Sequence, residues 1–198
     1  MARKGTDQRI LEAARDLFSK QGFHATGMRA IARAAKVSLG TIYHHFRSKD
    51  ELLLALIQQE VDELKSFLNE LISQQLPPME IIHRMVEQHF QRLSEKQQVM
   101  QVVQREWFAP STQLHRKLRA LLEEVAASVQ ELIRKGIRAG EIRPCNPTVV
   151  TYAILGMVMG ITPRALEGDA VAREILEHGP REVTELLSRW LLAEGGGG

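Results

Sequence analysis

Apolar residues recur at spacings of three and four along nearly the whole chain, and runs that alternate in the manner of strands are missing, so the pattern predicts an all-α fold. Thr6 is placed to cap a first helix whose inner face is Ile10, Ala14, Leu17 and Phe18, with Gly22 as its stop. A second, short helix is expected from a cap at Thr26 through Ile31 to Ala34, and a third from Ser38 to near Phe46. Ser48-Lys49-Asp50-Glu51 has the form of a capping box and opens a long helix with an inner stripe at Leu53, Ile57, Val61, Leu64, Leu68 and Leu71. That helix runs to Pro77-Pro78 and is about 40 Å long at 1.5 Å per residue. Further helices are expected near 79–94, 97–108, 111–139, 147–160 and 180–193. Pro110-Ser111, Gly140, Pro147 and Gly179-Pro180 supply the breaks, and 163–179 is left ambiguous, with room for a short helix. Gly195–Gly198 reads as a disordered tail.

Residues 26–46 fit two short helices joined by a tight turn, locked by Ile31, Ala32, Ala35, Val37, Ile42 and Phe46. On a helical wheel Ile42 and Phe46 face inward, while His44 lies nearly opposite with Gly40, Thr41 and Tyr43 beside it. That outer face is small, polar and aromatic and carries no acid, which suits a reader of the DNA major groove.

Charge sharpens this picture. The 198 residues carry a formal net charge of +2. Residues 1–50 hold ten basic side chains against four acidic ones, so the head is +6 and the remainder is −4. A basic head on a slightly acidic body points to an anionic polymer or a membrane surface, and charge alone decides neither. A 44% hydrophobic content is enough to bury a core and excludes disorder for most of the chain. The single cysteine, Cys145, excludes an intrachain disulfide and a multi-cysteine zinc site. The N-terminus shows no apolar core of a signal peptide. The longest apolar stretch, Val149 to Thr162, is shorter than the roughly 20 residues that span a bilayer, so a cytoplasmic protein with no membrane partner is expected.

The head resembles that of the tetracycline-repressor (TetR) family of bacterial transcription regulators. The residues that carry the resemblance are Ile10-x-x-Ala13-Ala14-x-x-x-Phe18, Gly22-Phe23, Thr26, Ile31-Ala32 and Val37-Ser38-x-Gly40-Thr41-Ile42-Tyr43-x-His45-Phe46-x-x-Lys49-x-x-Leu52-Leu53. The match covers about residues 6–55. Lys36 stands where the family usually has glycine, which implies a slightly altered turn, and Gly27 stands where Ser or Thr is common, which removes one potential phosphate contact. The resemblance implies that the hydroxyl of Thr26 touches phosphate, that Arg29 reaches a guanine edge, and that Ser38, Leu39, Gly40, Thr41, Tyr43 and His44 belong to the recognition helix. It makes Lys49 a phosphate clamp and Arg3 and Lys4 a mobile arm. It also implies a three-helix DNA-binding head, residues 1–47, joined to a helical effector-binding and dimerisation lobe, residues 48–194, before the 195–198 tail.

The expected partners are therefore a double-stranded operator, a second copy of the chain and a small hydrophobic effector. The helices at 147–160 and 180–193 are the expected dimer interface. Tyr152 to Gly160 is apolar around most of its circumference, and Gly156 and Gly160 share one face, although ordinary packing within the chain explains that pair equally well. Met85, His89, Met100, Val103, Trp107 and Tyr152 are the candidate effector residues. Arg105-Glu106-Trp107-Phe108-Ala109-Pro110 is weakly similar to a segment of family members that sense acyl-coenzyme A esters, with Arg92, Arg105, Arg116, Lys117 and Arg119 as counter-charge. A cationic or neutral hydrophobic drug is the competing effector. His83, Glu87 and His89 offer a minimal set of metal ligands without a characteristic signature. No nucleophile elbow, phosphate loop or dinucleotide fingerprint is present, so a regulator without metal, cofactor or catalysis is expected, ahead of a non-catalytic interaction protein or a metal-dependent enzyme.

Overall fold

The computed structural model describes residues 5–95 and 113–193. The expected helix at 97–108, the Arg3-Lys4 arm, the tail and the candidates Met100, Val103 and Trp107 lie outside them. The described residues form α1 (Thr6–Gln21), α2 (Met28–Ala34), α3 (Leu39–His45), α4 (Lys49–Ser73), α5 (Pro78–Glu95), α6 (Gln113–Arg138), α7 (Pro147–Ala165) and α8 (Ala170–Leu191). The fold is all-α. Among the described residues, β pairing is limited to one isolated bridge, Ile142 to Leu192. The chain divides into two compact units, the first containing residues 5–62 and 113–121 and the second 63–95 and 122–193.

In the first unit, Ile10, Ala14, Phe18, Ile31, Ile42 and Leu53 are fully buried or nearly so, and they are apolar positions that the periodicity selects. Two caps differ from expectation. Gly5 precedes α1 and Gly27 precedes α2, and neither Thr6 nor Thr26 caps a helix with its side chain. The box at Ser48 forms in shifted register: Ser48 Oγ accepts the Glu51 N–H, while the Glu51 carboxylate takes the N–H of Arg47, one residue before the cap.

Between α2 and α3 the chain closes a Schellman turn, in which the Val37 N–H reaches Ala32 O at 3.0 Å and the Lys36 N–H reaches Arg33 O at 3.2 Å. The residue that must turn left-handed in this motif is normally glycine, and here it is Lys36 at φ 56°. The turn is kept, and the lysine side chain bears its steric cost. Lys36→Gly is expected to raise stability by roughly 0.5–1 kcal/mol, the relief of strain exceeding the extra chain entropy of glycine. Denaturant unfolding checks this.

In the second unit, α5 packs on α8 and α7, and α7 packs on α8, around Phe90, Leu93, Ile133, Ile142 and Leu187. The Glu141 carboxylate accepts the Met79 N–H and so satisfies one free donor at the start of α5. The ambiguous segment resolves as follows. Helix α7 continues to Ala165, Gly168 turns at φ 76°, and Asp169 caps α8 by accepting the Ala172 N–H. Arg164 grips the Asp169 carboxylate with its two terminal guanidinium nitrogens, Nη1 and Nη2; this fork and the Ala172 N–H hold the carboxyl down to about 2.

The expected break at Gly179-Pro180 is therefore wrong: both residues lie inside α8. A Cβ at Gly179 would sit 2.4 Å from Phe90 Cε1, so the glycine lets α5 and α8 approach closely. Gly179→Ala is expected to destabilise the protein by about 1–3 kcal/mol, because the buried Phe90 ring has little room to yield. Thermal unfolding of the variant measures it.

By length and composition α7 would be able to cross a bilayer. In this structure it lies against α5 and α8, and its buried positions include Val150, Thr151, Ile154 and Thr162.

Candidate nucleic-acid interface

Helix α3 begins where Ser38 Oγ accepts the Thr41 N–H at 2.9 Å, and the hydroxyls of Ser38 and Thr41 lie 2.7 Å apart, sharing a hydrogen bond. Ile42 is fully buried and Phe46 nearly so, which anchors one side of this seven-residue helix to the core. The other side is thereby presented outward. Tyr43 is 49% exposed, and Ser38, Gly40 and His44 are exposed with it, while Leu39 and Thr41 are half-buried. The His44 and His45 rings meet edge to face at 5.6 Å, and His45 lies tilted against Phe46. Arg29 is exposed on α2. The exposed set brings hydroxyl, imidazole, phenol and guanidinium groups together without a carboxylate, and such groups hydrogen-bond base edges and phosphate oxygens.

Two expected contacts take a different form. Thr26 is 1% exposed, and its hydroxyl donates inward to Gly22 O at 2.8 Å and to Leu17 O at 3.3 Å. It closes the α1–α2 loop onto the end of α1, so this hydroxyl does not face a phosphate. Lys49 Nζ donates to Phe23 O at 2.6 Å and His24 O at 3.1 Å and lies 4.6 Å from the Phe23 ring centroid. In this structure its charge rests on loop carbonyls and an aromatic face. Sequence reasoning missed Phe23 and His24 as its seat, and no residue type signals that role, since every residue carries a backbone carbonyl.

In the second unit His89 is half-buried, and its Nε2 lies 2.9 Å from Thr162 Oγ1. Thr162 gives its one proton to Val158 O, so His89 is the donor and holds its proton on Nε2. Burial first, and the Arg92 guanidinium second, press this imidazole from 6.5 down to about 4. His83 is engaged in the same way with Ser188, whose hydroxyl donates to Thr184 O. The two histidines thus turn to different helices, and no group of three potential metal ligands exists among the described residues. Met85 is half-buried on α5. Tyr152, of the expected effector set, is 46% exposed, its hydroxyl donates to the Glu123 carboxylate, and it shares its side of α7 with exposed Val149 and Gly156.

An all-helical chain with a capped helix-turn-helix and an outward, acid-free third helix defines a DNA-binding regulator of the helix-turn-helix class. A family model described as "Bacterial regulatory proteins, tetR family" matches residues 10–56, and one described as "Tetracyclin repressor-like, C-terminal domain" matches residues 75–163. The regulator UidR of Escherichia coli (strain K12) is 30% identical over 179 residues, which cover 85% of each chain. Among solved structures, the fatty acid degradation regulator FadR from Bacillus halodurans superposes with a TM-score of 0.82 at 22% identity, covering 99% of this chain and 98% of that one. FadR from Bacillus subtilis, solved in complex with stearoyl-CoA, gives 0.77 at 22% identity, covering 91% and 97%. The chain belongs to the TetR family of transcriptional regulators.

Proposed function

We propose that this regulator is a cytoplasmic homodimeric repressor that occupies a palindromic operator and leaves it when an acyl-coenzyme A ester binds the body. The observation that carries the DNA half is the outer face of α3. Gly40, Tyr43 and His44 are exposed on a helix fixed by Ser38 at one end and by Ile42 and Phe46 below, and no acid interrupts it. On this reading Gly40 and Thr41 approach base edges, Tyr43 and His44 reach phosphate or base, Ser38 and Leu39 hold the helix start in the groove, and Arg29 reads a guanine. Such a bidentate contact contributes about 1–3 kcal/mol of discrimination. Residues 1–47 are the reading domain, and 48–194 bind effector and partner.

Dimerisation through α7 and α8 is supported by what these helices leave uncovered. Val149 is 63% exposed and Leu186 55%. Among the described residues, a Cβ built at Gly156 or Gly160 meets nothing within 4 Å, so packing between described residues does not account for these glycines. One helix-turn-helix buries too little surface for tight, selective binding, whereas a symmetric pair reads two half-sites.

The acyl-coenzyme A reading is supported by the stearoyl-CoA bound to the B. subtilis FadR structure. Met85 and His89 are the described residues assigned to the effector pocket, and Met100, Val103 and Trp107 complete the proposed set. An effector releases DNA only through a difference in affinity between the two states, so the free and the DNA-bound protein must bind it unequally. Titrating short-, medium- and long-chain acyl-CoA into a protein–operator complex and following fluorescence anisotropy tests this. Release at micromolar concentration by one chain-length class supports the reading. Retention of the complex with all of them rejects this effector class and leaves the DNA-binding assignment standing.

A further inference from the structure

We infer that Lys49 is a positioning residue, a latch that fixes the α1–α2 loop to the first turn of α4 and so sets where α2 begins. The inference rests on the reading that α2 and α3 engage DNA.

A cation at the first position of a helix opposes the helix dipole, and α4 follows it with Asp50 and Glu51, the residue types that suit that end. The lysine amine instead turns away from its own helix. It donates to two successive carbonyls, those of Phe23 and His24, and lies over the Phe23 ring. Two of its three N–H groups are thereby engaged, and its charge is met by carbonyl dipoles and a ring face.

The loop it grips is built to receive such a hold. Phe23 is 7% exposed and packs edge to face on Phe18 of α1, with ring centroids 5.1 Å apart. Thr26 ties the same loop from inside through its bonds to Leu17 O and Gly22 O. Thr26 lies only three positions after Phe23 and two after His24, and the next residue, Gly27, precedes α2 with no side-chain cap. The start of α2 therefore takes its position from the loop, and the loop from Thr26 on one side and Lys49 on the other. Because Lys49 is also the first residue of α4, a displacement of that helix is passed to the loop by this amine.

A latch and a phosphate clamp make opposite predictions for Lys49→Met, which keeps most of the stem and removes the amine. In the free protein, hydrogen exchange of the amides of residues 24–28 is expected to quicken by about tenfold, the rest of the head being unchanged. Operator affinity is expected to fall while its dependence on salt keeps the wild-type slope. A clamp would instead lower that slope by about 0.9 for each head and leave exchange in the free protein unaltered. Unchanged exchange, or a slope reduced by that amount, overturns the latch. Failure of the wild-type protein to bind any operator would count against the DNA reading itself, while the exchange experiment, which needs no DNA, still decides whether the latch exists.

Discussion

Gly40→Glu is expected to abolish operator binding while leaving the fold intact. Gly40 lies on the exposed side of α3, and among the described residues a Cβ built there meets only Ser38 Oγ, at 3.7 Å, an ordinary contact. The substitution thus costs no packing, and it replaces the weakest helix former after proline. Its carboxylate enters a face that carries no acid and is proposed to approach phosphates and base edges. Like charges brought together in an interface cost several kcal/mol. A loss of about 3 kcal/mol is already on the order of a hundredfold in affinity, and the proposed dimer would carry the change twice. Gly40→Ala is the control, with a melting temperature close to wild type and far weaker impairment of binding. Anisotropy titration paired with thermal unfolding reads both quantities. Operator binding by Gly40→Glu within about threefold of wild type would remove α3 from the interface.

The second large effect is on stability and arises from His89. Its imidazole is pressed to about 4 in the folded protein and returns to about 6.5 on unfolding. At neutral pH both states leave it uncharged and no energy is at stake. As pH falls through 6.5 the unfolded chain takes up a proton that the native protein refuses until about pH 4, so stability drops across that window and levels off below it. The displacement corresponds to about 3 kcal/mol, a large part of the roughly 5–15 kcal/mol that holds a domain folded. Asp169, held down to about 2, weakens the fold only below the ordinary carboxylate range, so the two effects separate on the pH axis. His89→Gln is expected to flatten the stability curve between pH 6.5 and 4, which urea unfolding at stepped pH measures.

Much of this fold is legible in the sequence because helical periodicity and local chemistry agree. Ile10, Ile31, Ile42 and Leu53 are found buried where the three- and four-residue spacing places them, and Ser38 caps α3 as its type and position suggest. The reading fails where tertiary contact overrides a local signal. Gly179-Pro180 resembles a stop, yet Val183, Leu187 and Leu191 beyond it and Ala172 before it are buried along one continuous helix. The close approach of Phe90 gives the glycine a packing role. The real boundary was written at Gly168-Asp169, a left-handed glycine followed by a helix cap, inside the segment left ambiguous.

Site residues divide along the same line. The outward face of α3 follows from helix geometry, so Gly40, Tyr43 and His44 are found exposed on it. Thr26 and Lys49 were assigned through resemblance and residue type, but their partners are backbone carbonyls of Leu17, Gly22, Phe23 and His24, which only the folded chain brings within reach. The exposure of Tyr152 was not legible for a related reason: an apolar stretch does not reveal which of its faces stays uncovered.

In the proposed dimer, the α3 helices of two protomers read one symmetric DNA site. Selection of bound fragments from random double-stranded DNA by the purified protein tests it most directly. An inverted repeat is expected, with half-sites about one helical turn apart, near 34–36 Å between centres. Recovery of no common sequence, or of a single unpaired half-site, would contradict it.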